Sequence, residues 1–170
     1  MKIRFLYVLL ITTLFYSCSE STNPSNDEKA FGIYLLKDTL LITSEAKKLP
    51  VESLQLQEVP IININDIIEY NWEEQFISLT SEAFERFKGV EKKIKSVFGL
   101  PFIFVAKQQI IYLGNIYPMY SSYVHEDLPS IDVAPFLEMR ITKAPLQSIE
   151  DKRKDERIYL VLAEHNKLKK

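Results

Sequence analysis

The chain has 170 residues, with 21 Lys and Arg against 23 Asp and Glu and a net charge of −2. That balance excludes the basic stripe on which nucleic-acid binding rests, and four glycines, at 32, 89, 99 and 114, form no phosphate-cradling loop, so neither nucleic acid nor nucleotide is expected as a partner. A single cysteine excludes an intrachain disulfide, and with only two histidines beside it no ordinary zinc site is expected, nor any cofactor.

The amino terminus opens with Lys2 and Arg4 and then runs apolar from Phe5 to Tyr16. A membrane span needs roughly 20 apolar residues, so this run is too short for one; a charged start and a short apolar core describe a secretory signal peptide. It ends not in a small-x-small site but in Ser17-Cys18. Leu14-Phe15-Tyr16-Ser17-Cys18 resembles the lipobox of bacterial lipoproteins, with Phe15 and Tyr16 standing where Leu and a small residue are commoner. The resemblance implies diacylglycerol on Cys18 and cleavage just before it. Residues 1–17 are then a leader, 18–29 a polar tether expected to be disordered, and 30–170 a single domain. Several acyl chains on one cysteine give stable anchoring, where one chain gives only marginal binding. The expected location is the bacterial cell envelope, in either membrane, with the domain facing the periplasm or the outside.

Within the domain, Phe31-Gly-Ile-Tyr-Leu-Leu-Lys-Asp-Thr-Leu-Leu-Ile-Thr43 reads as strand material, either a hairpin turning at Lys37-Asp38-Thr39 or one interrupted strand. Val51, Leu54 and Leu56 alternate with polar residues, as in a further strand or a turn leading into one. Asn63 stands three residues before Asp66, a spacing that predicts a capped helical turn delivering Ile67 and Ile68 to the core. Phe76, Ile77 and Leu79 predict a strand. After Thr80 the period lengthens: Ala83, Phe84, Phe87, Val90, Ile94, Val97 and Phe98 form one helical stripe. Thr80 or Ser81 caps it, Glu82 and Glu85 suit its first turn, Lys92, Lys93 and Lys95 its far end, and Gly99 with Pro101 stops it. Phe102 to Ala106 and Ile110 to Tyr117 predict two strands about a tight polar turn, residues 119–135 the longest loop, and 136–142 another strand. Ser148 with Asp151 suggests the start of a closing helix through Ile158, Val161, Leu162, His165 and Leu168. The basic end, 167–170, reads as a solvated helix terminus, and 150–157 as an exposed, salt-bridged helix face. The whole predicts an α+β domain: a mixed or antiparallel sheet with two helices on one face, a β-α-β-β core plus a carboxyl-terminal helix.

From Ile61 onward the order of features resembles the periplasmic head domain of the SecD subunit of the bacterial protein-export machinery. The matching features are Asp66-Ile67 before a strand ending in Leu79-Thr80, Glu82-Ala83 opening a helix that carries Phe87, the Gly99 stop, and the hairpin from Phe102 to Ile116. Lys107-Gln108-Gln109 replaces the Asp-Gly that often tops that hairpin. The resemblance, over residues 61–142, implies a fold and not an export activity.

Two groups compete as sites. Ser121, Ser122, His125, Glu126 and Asp127 include the residue types of a nucleophile, base and orienter, and an envelope hydrolase built on Ser121 and His125 is one reading. Such groups seldom converge within one short segment, and no G-x-S-x-G elbow is present; Glu73-Glu74 and Glu126-Asp127 are adjacent in sequence and make poor acid/base couples. His165 reads as a half-buried helix residue. Tyr112 and Tyr117 suit the sheet, while Tyr120, Tyr123 and His125 make a candidate binding face, since tyrosine joins apolar area to a polar tip. The favoured expectation is a non-enzymatic, lipid-anchored binding or accessory protein, its partner the membrane through Cys18 and a further envelope protein or component through this loop. A purely structural domain is the third reading.

Overall fold

A computed structural model describes residues 30–118, 120–133, 138–146 and 150–169. Cys18, with the expected leader and tether, lies outside the described residues, and so does Ser148. Eight strands form one sheet: β1 (Phe31–Leu35), β2 (Ile62–Asn63), β3 (Ile67–Asn71), β4 (Phe76–Leu79), β5 (Leu100–Ala106), β6 (Gln109–Ile116), β7 (Ser130–Val133) and β8 (Glu138–Thr142). Among the described residues three helices accompany them: α1 (Thr43–Ala46), α2 (Ser81–Glu91) and α3 (Glu156–Glu164). The fold is therefore α+β with a mixed sheet.

The strand order is β2-β1-β5-β6-β7-β8-β4-β3, antiparallel throughout except between β6 and β7. Edge strands β2 and β3 are joined only by the 3-10 turn Ile64–Asp66. A link that short spans about 13 Å at most, so the two edges lie close and the sheet is nearly closed. The turn forms for the reason the Asn63–Asp66 spacing predicts. The Asn63 side chain accepts from the amides of Asn65 and Asp66, and the Asp66 carboxylate accepts from the Asn63 amide, a reciprocal cap. Residues after α3 cover the β3 edge: the Tyr70 amide donates to the Lys167 carbonyl and the Lys169 amide to the Tyr70 carbonyl. The basic end is thus paired to the sheet, with the Lys167 ammonium on the Ile67 carbonyl at 2.6 Å.

β5 shows why its sequence is a continuous apolar run. Phe102, Phe104 and Ala106 face the main core with Phe31, Tyr112 and Ile33, while Ile103 and Val105 face a second cluster with Tyr34, Leu36, Leu54 and Ala46. Both faces are covered, so no polar alternation is needed. Inside, Phe104 stacks on Tyr112 at 5.1 Å and meets Phe31 edge-on at 5.0 Å. Both α2 (Ala83, Phe84, Phe87) and α3 (Ile158, Val161, Leu162) feed this main core. The expectation of two helices misses α1, which covers the opposite face. The expected β-α-β-β order is β4, α2, β5 and β6, and in the sheet β4 and β5 are separated by β6, β7 and β8.

Several local expectations are corrected. The stretch after Leu36 forms neither a hairpin nor a longer strand; a loop leads to α1, and Leu36 bridges Leu56 across the sheet edge. Val51 to Ser53 is a 3-10 turn. Ile67 is buried but Ile68 is exposed, because neighbours on a strand point to opposite faces. α2 is capped by Thr80, which accepts from the Ala83 amide, but it ends at Glu91. Ile94 then turns into the core from irregular chain, as the segment must arrive at β5 beside β1. Residues 150–157 are no exposed helix face. A 3-10 turn, Lys152–Lys154, precedes α3, and Arg153 is largely covered, donating to both oxygens of Asp151 and to the Ile141 carbonyl. The long loop is shorter than expected, since β7 begins at Ser130. Its pairing with β6 covers only Asn115↔Ser130 and Ile116↔Ile131; Pro129, having no N–H, cannot extend the ladder backward.

Candidate functional site

The candidate face is built by the segment that leaves β6 at Ile116 and returns at β7. Pro118 and Pro129 flank it, and nothing between them has a helical or strand period, so its shape is set by contacts to other elements. Most go to the chain between α2 and β5. Tyr120 Oη donates to the Ile94 carbonyl at 3.1 Å and Ser121 Oγ to the Val97 carbonyl at 2.6 Å, while the Phe98 and Tyr123 rings meet edge-on at 5.1 Å. A second tie runs to the end of α1, where Lys47 Nζ lies 3.0 Å from both Asp127 oxygens. A third is the Leu146 amide on the Glu126 carbonyl.

The three candidate residues separate here. Tyr120 is 66% exposed and Tyr123 40%, as a binding face requires, whereas His125 is 3% exposed and cannot be part of that face. Its imidazole packs between Tyr117, stacked at 6.2 Å, and Tyr123, edge-on at 4.9 Å. Its amide donates to Tyr117 Oη in a short hydrogen bond. The Phe98 carbonyl holds the ring, and Nε2 has no hydrogen-bond partner among the described residues. Burial lowers the imidazole pKa, and the Lys47 charge lowers it further. Burial likewise raises the Tyr117 phenol. His125 therefore pins the loop from beneath.

The nucleophile-base arrangement is not assembled. Ser121 Oγ is committed to the Val97 carbonyl, it also accepts from the Tyr123 amide at 3.1 Å, and His125 Nε2 reaches no hydroxyl among the described residues. Asp127 pairs with Lys47 rather than orienting the imidazole. Beside the loop lies a groove of about 410 Å3, bordered by Tyr117, Ser121 and Tyr123 and by the charged Glu91, Asp132 and Lys143; His125 is not among its lining residues, so the groove does not bring the imidazole to Ser121. His165 sits at the end of α3, half-buried, with Nδ1 2.9 Å from the Val161 carbonyl. Glu73 is taken by Lys154 and Glu74 by Asn71. Tyr112 lies in the core and Tyr117 at its margin.

Sequence reading missed part of this surface. Val124 is 54% exposed, and Val97 and Phe98, assigned to a buried helical stripe, are also exposed. No local signal marks this exposure, since Lys92, Lys93 and Lys95 suit a helix end and the apolar period runs on past it. Among the described residues no group of three or more His, Cys, Asp or Glu could hold a metal ion, and no helix is long and apolar enough to cross a membrane. In comparisons with protein-family models, curated proteins and solved structures, the chain matches none.

Proposed function

We propose that the protein is a lipid-anchored protein of the bacterial cell envelope, acylated on Cys18, that works without catalysis by binding an envelope component through its 117–128 loop. The anchor rests on the sequence: Lys2 and Arg4, the apolar run to Tyr16, and Ser17-Cys18 before a polar tether. The observation that carries the binding reading is Tyr120, Tyr123 and Val124 held out to solvent on a loop fixed at three points. A fixed exposed aromatic surface binds with less ordering cost than a mobile one. The commitment of Ser121 Oγ to a backbone carbonyl favours binding over hydrolysis. The ordered features Asp66-Ile67, β4, α2 and the β5–β6 hairpin support a fold-level likeness to the SecD head domain, with α2 and α3 as its helical layer.

Two measurements test this. Replacing Cys18→Ser should abolish incorporation of labelled palmitate and leave the leader uncleaved; normal processing would contradict the anchor. Photo-crosslinkers at Tyr120 and Tyr123 should capture an envelope component in cells, while one at the exposed Leu40, on a different loop, should not. Equal capture from both positions would argue that the loop has no special role.

A further inference from the structure

We infer that the loop face docks on the surface of an anionic bilayer, resting on the anchored reading above for its proximity to lipid. The observation is a juxtaposition of charge and apolar surface. Lys92, Lys93 and Lys95 are exposed and clustered within four residues, and none of them has an ion-pair partner among the described residues. The same stretch carries exposed Val97 and Phe98, and Tyr120, Ser121 and Tyr123 pack against it, bringing Tyr120, Tyr123 and Val124 alongside. Three unpaired cations against one adjoining carboxylate, Glu91, beside five exposed apolar or aromatic side chains, leave a local patch of positive sign on a chain of net negative charge.

Charge complementarity calls for an anionic partner, and the form of the patch favours a membrane over an acidic protein. Tyr123 and Val124 border the groove beside the loop, whereas Val97, Phe98 and Tyr120 stand outside it, and exposed side chains divided in this way do not supply the well-packed core of a stable protein interface. Phe, Tyr and Val with flanking Lys suit the headgroup boundary, where lysines near an anionic surface each strengthen binding about fivefold. Such a patch is weak for a free partner. It suffices for a bilayer to which the chain is already tied, because a short tether turns docking into an intramolecular step at millimolar effective concentration.

Tether geometry permits this pose. Ala30 lies at the Lys107 end of β5, since the Lys107 amide donates to the Ala30 carbonyl and Phe31 pairs with Ala106. The patch precedes Leu100 at the other end of that strand. Seven strand residues extend about 24 Å, and residues 18–29, drawn out, span up to about 40 Å. The anchored chain can therefore reach back along the sheet and lay the loop end on the bilayer.

The test uses the full processed protein carrying Val124→Trp, reconstituted in vesicles of brominated phosphatidylcholine, alone or mixed with brominated phosphatidylglycerol. Trp72, packed against Tyr159, supplies the background. Quenching of the new tryptophan should appear only with phosphatidylglycerol and fade as salt rises. Combined Lys92→Gln, Lys93→Gln and Lys95→Gln should weaken docking about a hundredfold at low salt. Unquenched fluorescence on the anionic vesicles, or quenching that survives the triple substitution, overturns the inference. Failure of the protein to float with either vesicle would sink the lipid-anchor reading instead; Cys18 would then be coupled to a maleimide-bearing lipid and the same quenching read.

Discussion

Arg86 reaches from α2 across the closing seam of the sheet and meets Asp66, with nitrogen and carboxylate oxygen 2.5 Å apart. The same guanidinium donates through Nε to the Ile61 carbonyl at 3.0 Å, and the Asp66 carbonyl accepts from the Thr80 amide. One helix side chain thus ties together the last residue before β2, the cap of the seam turn and the start of α2. Asp66 is mostly covered while Arg86 is partly exposed, so the two ends of the bond are not equivalent.

Loss of Asp66 should therefore cost more than loss of Arg86. Asp66→Ala removes the carboxylate that also accepts from the Asn63 amide, leaving a backbone donor and one arm of the guanidinium without a partner; about 2–3 kcal/mol is expected. Arg86→Lys keeps a charge but loses the two-armed donation, for about 1 kcal/mol. Urea unfolding of both variants checks the order. A larger loss in Arg86→Lys would mean that the Ile61 carbonyl, and not the cap, is the essential end.

Gly114 admits no side chain. A Cβ built there would lie 2.2 Å from the Phe102 ring and 2.9 Å from the Pro129 carbonyl oxygen. Gly114→Ala should destabilise by about 3 kcal/mol or more through overpacking. Phe102→Leu in the same chain should recover part of that, because the ring is the closest obstacle. The midpoint of thermal unfolding for single and double variants decides it; no recovery would place the clash at the backbone of Pro129.

How far these features were legible differs by element. The Asn63–Asp66 cap, the Thr80 cap and the β5–β6 hairpin depend on residues within a few positions of one another, and local chemistry suffices to read them. The end of α2 does not. Ile94, Val97 and Phe98 continue the helical stripe of Phe84 and Phe87, but tertiary packing takes Ile94 alone into the core and leaves the other two in water. His125 looked like a surface residue for a related reason. Ser121, Ser122 and Glu126 around it are polar, and only the distant Phe98 carbonyl, with Tyr117, makes a buried place for an imidazole. The covered Arg153 was hidden in a run of mixed charges, since its partner carbonyl, Ile141, belongs to another strand. The exposed face proved harder to read than the core, because exposure depends on what the rest of the fold fails to cover.

The β5–β6 turn holds a correctable cost. Lys107 and Gln108 both adopt positive φ, 49° and 60°, the backbone of a two-residue hairpin that favours Asn-Gly. An ordinary side chain in this region costs roughly 1 kcal/mol. Gln108→Gly should stabilise the protein by up to about 1 kcal/mol, offset slightly by the greater freedom of glycine in the unfolded chain. Lys107, which pairs with Glu164 at 3.0 Å, is left in place. A lower urea midpoint for the glycine variant would contradict a left-handed Gln108.

His125 sets the response to acid. Its ring is buried between Tyr117 and Tyr123, faces the Phe98 carbonyl, and lies near the paired charges of Lys47 and Asp127. Asp127 favours the protonated ring, but burial and Lys47 outweigh it, so the folded pKa falls below the unfolded value of about 6.5. The folded state then binds fewer protons than the unfolded one. The stability gained from the neutral imidazole is fully present above about pH 6.5 and is lost as pH falls through the lower, folded value. Protonation would add a charge and an N–H at Nε2, where no acceptor stands among the described residues. The 117–128 loop should therefore loosen first, seen as faster amide exchange at Tyr123 and Val124 than in the β5–β6 hairpin as pH drops from 7 to about 5. His125→Phe keeps a ring between the two tyrosines but cannot titrate. It should flatten this dependence while losing some stability at pH 7 with the Phe98 hydrogen bond. If the phenylalanine variant opens with the same pH profile as the parent, His125 is not the group that takes up the proton.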